Sequence, residues 1–268
     1  MLYEVFITAC LPDDDAETAQ AILSGVTEMR HRERFTRVNY YEPQDKGLPT
    51  IKQLLKERPP TLPQWQELNL ILAKQPSVLQ LRTDITEEIQ SAQARNATAA
   101  DVPADKPRVA RWTDLPDPPN PRHPFITQRK VLEFADPRAE TILADNKFRF
   151  KSSLIEESYL WWLNGIEYEM VRMYMVDPDP NPGAPQPGPT PGAPQQVPNP
   201  SSLEPVGSIW ILYVRARVDP HPPSNMLDRM TQGQTHLAQI RERLLGVFDF
   251  KIFDRRCRDT RIQEARIG

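Results

Sequence analysis

Along most of this chain apolar and polar positions alternate with a period of two, and only a few windows carry a helical period. Residues 2–11, LYEVFITACL, form a β-branched and aromatic run that stops at Pro12 and predicts a first strand. Ala19, Ile22, Leu23 and Val26 then recur at helical spacing, with Asp14 and Glu17 as a capping-box-like start and Gly25 as a C-terminal cap. RFTRVNYYE (34–42) alternates again and predicts a second strand. The insert 43–77 is polar and broken by proline, and Thr61, Pro63 and Gln64 open one short helix inside it, PQWQELNLILAKQ. VLQLRTDI (78–85) predicts a third strand, whereas 86–107 is polar and alanine-rich without an apolar period and reads as a disordered segment.

The second half repeats the pattern. RVARWTDL (108–115) and ITQRKVLEF (126–134) read as strands, and Asp136-Pro137 caps a helix to about Leu143. The stretch from Lys147 to Val176 reads as two or three strands, with Asn164-Gly165 as a type I′ turn between apolar runs. GSIWILYVRARV (207–218) is a further strand. A longer helix starts near Asn225 with Asp228 three residues on, carries the stripe Leu227, Met230, Leu237, Ile240 and Leu244, and ends at Gly246. VFDFKIFDRR (247–256) alternates as a last strand. Strands that follow one another without regular βαβ alternation point to a mainly β, α+β chain: an antiparallel sheet closed into a barrel.

Between two strand-like flanks lies 177–205, a proline-rich tract. Proline fixes φ and lacks an amide hydrogen, so the tract reads as a disordered loop rather than a strand or helix. With the two polar stretches set aside, the 268 residues fit a single β-barrel domain, 1–268, carrying about a third of its length in insertions. The hydrophobic fraction of 39% is low for a globular domain, and those insertions account for it.

The net charge of −3 supplies no global basic field for nucleic acid. Cys10 and Cys257 make neither a zinc spacing nor a disulfide framework, which fits a reducing compartment. The N-terminus lacks a basic n-region, and no apolar run approaches a membrane span, so the chain reads as soluble and intracellular, in cytosol or nucleus.

Candidate chemistry is sparse. His31, His123, His221 and His236 lie in unrelated segments without metal-ligand spacing. Asp13, Asp14 and Asp15 sit where a helix N-terminus favours carboxylates. Glu167 and Glu169 share one face of a strand. Barrel hydrolases of triphosphates carry E-x-E-x-K on a strand, two carboxylates for metal and a lysine for phosphate. Here Val171 follows on that face, and Glu4 on the first strand is followed by Phe6 and Thr8. The ordinary reading is two glutamates on the polar face of a half-solvated strand, with a metal-dependent triphosphatase as the alternative. Arg255, Arg256, Arg258, Arg261 and Arg266 read as a solvated tail diluted by acids, with nucleic-acid contact as its alternative. Trp161 and Trp162 are consecutive and point to opposite faces, so one of them meets solvent or a partner unless both faces are covered. With Met173 and Met175 they are the candidate partner-binding residues, since exposed Trp and Met favour interfaces. No catalytic, cofactor-binding or metal-binding residue is assigned.

In order, these blocks resemble the family of subunit 18 of the Mediator complex, the coactivator of RNA polymerase II. YEVFITACLPDDDAETAQAILSGVTEM is similar to the family's opening strand and helix, and RERFTRVNYYE to its next strand. VLQLRT, RVARWTD and RKVLEF follow in the family order, then NKFRFKSSLIEESYLWWLNGIEYEMVRMY, SIWILYVRARV, the long helix, VFDFKIFDRR and DTRI. The insert 43–77, the polar segment 86–107 and the proline tract depart from the compact animal form and look fungal. The resemblance implies an antiparallel barrel of about eight strands with flanking helices, similar to the triphosphate-tunnel barrel. It implies a nuclear, non-enzymatic scaffold subunit of the Mediator head module. The implied partners are subunit 20, as a heterodimer, a C-terminal helix of subunit 8, other head-module subunits and the RNA polymerase II machinery; no cofactor, no membrane and no direct nucleic-acid contact are implied.

Overall fold

Strands that alternate apolar and charged residues need two unlike environments. The computed structural model, which describes residues 1–176, 194–252 and 254–262, provides them as the outside and the lumen of a closed antiparallel barrel. Its strands are β1 (Leu2–Pro12), β2 (Arg32–Pro43), β3 (Leu79–Asp84), β5 (Arg108–Thr113), β6 (Thr127–Ala135), β7 (Phe148–Leu163), β8 (Ile166–Met175) and β10 (Ile209–Val218). Around the barrel they run β1-β10-β8-β7-β2-β3-β5-β6, and β6 pairs back onto β1. The short strands β4 (Ala99–Val102) and β9 (Gln195–Pro198) pair separately.

The apolar core lies outside the barrel, under the helices. Val5, Ile7 and Ala9 of β1 pack with Leu212, Val214 and Ala216 of β10 beneath α1 (Ala16–Thr27) and α6 (Met226–Arg243). α6 approaches so closely that a Cβ on Gly233 would lie 3.4 Å from the Ala216 methyl. A second cluster joins β2, β3, β5 and β6 to α2 (Ile51–Glu57), α3 (Leu62–Lys74) and α5 (Ala139–Asp145). Trp65, fully buried, anchors it by donating its indole N–H to Asp136 Oδ2 at 2.9 Å. The Asn164-Gly165 turn forms as read, both residues at positive φ (50° and 78°).

Several expectations need correction. The insert 43–77 holds two helices, not one. α1 runs through Gly25 to Thr27, and Glu28 takes the left-handed cap conformation. Asp14 makes no side-chain cap; it lies in a short 3-10 turn, Asp13–Asp15. Residues 86–107 are not disordered: they form α4 (Thr86–Ala94) and β4. Ile89 and Ala92, three apart, face Phe35 and Ile155, and the strand partner of β4 comes from about a hundred residues away. That partner, β9, is the end of the proline-rich tract, so Gln195–Pro198 is a strand and Pro200–Ser202 a 3-10 turn; 177–193 lie outside the described residues. The predicted last strand, 247–256, is absent among its described residues apart from a single bridge, Phe250 to Ala9. β10 lines β1 from Tyr3 to Pro12, but β6 pairs only with Leu2–Phe6, and the segment meets the open remainder of that edge only at the Phe250 bridge and through Lys251 N–H donating to Thr8 O at 3.0 Å.

Candidate functional site

The second face of the strands points inward, and it is charged. From β1, Glu4 is 1% exposed; its Oε1 accepts from Arg111 at 2.8 Å and its Oε2 from Arg129 at 2.8 Å, with Arg215 3.8 Å away. Arg111 also reaches Glu133 at 3.2 Å. Across the lumen Arg82 pairs with Glu156, Arg34 with Glu169 at 2.6 Å, and Arg215 with Glu169 and with Glu167 at 3.0 Å. Five arginines thus interleave with five glutamates, each contributed by a period-two position of its strand. At one end the lumen widens into a cavity of about 290 Å³ rimmed by Tyr40, Tyr213, Met173 and the segment Cys257–Thr260.

Burial alone would raise the Glu4 carboxyl, but the guanidiniums of Arg111, Arg129 and Arg215 outweigh it and hold it well below the usual carboxylate range. Glu133 and Glu156 show the same balance and are also lowered, by Arg111 and Arg82 respectively. Burial, reinforced by Glu156, pushes the Tyr40 phenol up to about 12. Burial lowers Arg215 to about 10, against the pull of Glu167 and Glu4.

The three lowered lumen carboxyls, together with the lowered Asp136, shape the acid response. Each lumen carboxyl binds its proton less readily folded than unfolded, so its stabilisation is complete above the unfolded value of 4.5 and is lost as pH falls through the folded value. The urea midpoint is therefore expected to be flat near neutrality and to fall steadily below about pH 5. A midpoint unchanged down to about pH 3 would contradict this.

Glu167 and Glu169 do share a face, as read, but that face is enclosed rather than half-solvated, and both carboxylates are spent on arginines. No lysine lines the cavity, and no group of three or more His, Cys, Asp or Glu among the described residues is placed to hold a metal ion. The arginine-rich end is not simply a solvated tail. The Arg258 guanidinium stacks 4.8 Å from the Phe6 ring centre and 5.2 Å from that of Tyr213, and Arg261 pairs with Asp259 at 2.7 Å. Arg266 lies outside the described residues.

The candidate partner-binding residues separate. Trp161 is fully buried against α1, its indole N–H donating to Ser24 Oγ at 3.1 Å. Trp162 is 40% exposed beside the hairpin turn. Met173 lines the lumen cavity, and Met175 is exposed at the far end of the same hairpin, opposite Leu154. On the hairpin face away from Trp162, a groove of about 150 Å³ opens between α1, the β7–β8 turn and α6, lined by Val26, Leu163, Ile166, Ile240 and Leu244. The lumen arginines carry a sequence signal of their own, since RVARWT, LQLRTD, TQRKV and VRARV each place an arginine at mid-strand.

The family described as Med18 protein matches residues 3–261. No curated protein matches the chain. Among solved structures, a chain of the Mediator head module of Schizosaccharomyces pombe is similar, at 13% identity and a TM-score of 0.58, over 93% of this chain and 98% of that one. The PH1819 protein of Pyrococcus horikoshii OT3 aligns with 94% of this chain and 93% of its own, at 8% identity and a TM-score of 0.45. With a match that runs from β1 to the last described residues, the chain belongs to the Med18 protein family.

Proposed function

We propose that this chain is a non-enzymatic scaffold subunit of the Mediator coactivator, working in the head module in the nucleus, paired with subunit 20 and holding a C-terminal helix of subunit 8. The observation that carries the proposal is the family match over residues 3–261. The lumen supports the non-enzymatic part: among the described residues, Glu4 and Glu169 are each paired with arginines, which leaves them poorly placed to hold a metal ion. The groove between α1 and α6 supports the scaffold part, because an apolar trough with a polar rim is how a partner helix is received. Exposed Trp162 and Met175, at the two ends of the hairpin, are the side chains offered to partners, whereas buried Trp161 is a packing residue.

The reading is tested by melting the purified chain alone and after co-expression with subunit 20 and the subunit 8 helix. A binder of the folded state raises the transition by mass action, and several degrees are expected. A chain that is monodisperse alone and melts no higher with its partners refutes the proposal. The hydrolase alternative predicts phosphate release from a triphosphate with magnesium or manganese, lost in the Glu167→Gln, Glu169→Gln double variant; background release from both proteins is expected.

A further inference from the structure

We propose that residues 255–262 form a detachable strap that stops one end of the barrel lumen, so that the molecule has a closed and an open state. The strap crosses the cavity rim: Cys257, Arg258, Asp259 and Thr260 line the cavity from outside the strands. Its far end is tied by Val78 N–H donating to Thr260 O at 2.8 Å and Ile262 N–H donating to Pro76 O at 2.8 Å. Thr260 Oγ1 donates to Thr113 O at 3.1 Å. Its middle is held by Arg258, whose guanidinium lies over the rings of Phe6 and Tyr213.

Two features make this closure reversible. First, the strap buries little: Ile262 is its one buried side chain, while Arg256, Cys257 and Asp259 are exposed. A segment held by a handful of hydrogen bonds, one stacked guanidinium and one apolar anchor belongs to the low-stability end of a structure, where ordering entropy nearly offsets the contacts. Second, Arg258 enters a rim that already carries Arg82, Arg111, Arg129 and Arg215. The stacking on two aromatic faces favours its entry, and the neighbouring Arg129 guanidinium opposes it. Opening admits solvent to the lumen and frees Val78 N–H and Pro76 C=O as a short unpaired edge.

The test is amide hydrogen exchange on the full chain. The Val78 and Ile262 amides should exchange together, about a hundredfold faster than ladder amides of β3 such as Leu81. Arg258→Gln should speed both by roughly tenfold and leave β1 and β3 unchanged. Ile262→Ser, which removes the anchor at the other end, should speed the same two amides. Val78 exchanging as slowly as Leu81 in the unaltered chain, or showing no response to either variant, would overturn the strap.

Discussion

Glu4→Gln is expected to lower the unfolding free energy by about 3–5 kcal/mol. The side chain keeps its shape, so no cavity forms; what disappears is the charge that three guanidiniums surround. Arg111 and Arg129 have been taken out of water on the strength of that carboxylate, and Arg111 would retain Glu133 as an ion-pair partner with Glu156 further off. An uncompensated buried charge costs far more than an intact buried pair contributes, which is why the loss exceeds the worth of any one bond. Against a total stability of about 5–15 kcal/mol the variant sits near the threshold of folding. Urea unfolding measures the loss. Adding Arg129→Gln to the variant should restore part of it, because the second change removes one stranded cation, and the cycle gives the coupling directly. A loss below about 1 kcal/mol would mean that water or rearrangement replaces the carboxylate, and that the lumen is not a closed charge network.

The adjacent tryptophans should separate stability from binding. Trp161→Ala removes a fully buried indole beneath α1 and its bond to Ser24, and about 3–5 kcal/mol of stability with it. Trp162→Ala removes a half-exposed ring and should cost the free chain about 1 kcal/mol or less. If Trp162 anchors a partner, the same change should weaken capture of subunits 20 or 8 by tenfold or more, as truncation of an aromatic hot spot does. Melting curves and pull-down of both variants read the two effects side by side. Equal destabilisation by both would show that the ring of Trp162 packs like a core residue; unchanged capture by Trp162→Ala would remove it from the interface.

The sequence disclosed the barrel strands well because each carries its pattern locally. The Asn164-Gly165 turn and the alternation in RFTRVNYYE and SIWILYVRARV need no distant information. It misled where a partner far along the chain decides the outcome. Ala99–Val102 becomes a strand only because Gln195–Pro198 arrives beside it, and 247–256, despite its alternation, meets the open half of the β1 edge at a single bridge, Phe250 to Ala9. The lumen was half legible. Glu167 and Glu169 stood out as a pair, but their alternation was compatible with a solvated face. Only closure, which brings Arg34 and Arg215 from β2 and β10 to the same carboxylate, turns that face into an interior. The signal that would have disclosed it is the near-equal number of Arg and Glu at inward positions of nearly every barrel strand, an arrangement a solvated sheet does not require.

The central claim is that this barrel assembles rather than catalyses, and affinity capture of the tagged chain from its own nuclear extract, with the co-purified proteins identified by mass spectrometry, tests it most directly. Recovery of Mediator subunits 20 and 8 in stoichiometric amounts is the predicted result. Recovery of the chain alone, at monomer size, would contradict it.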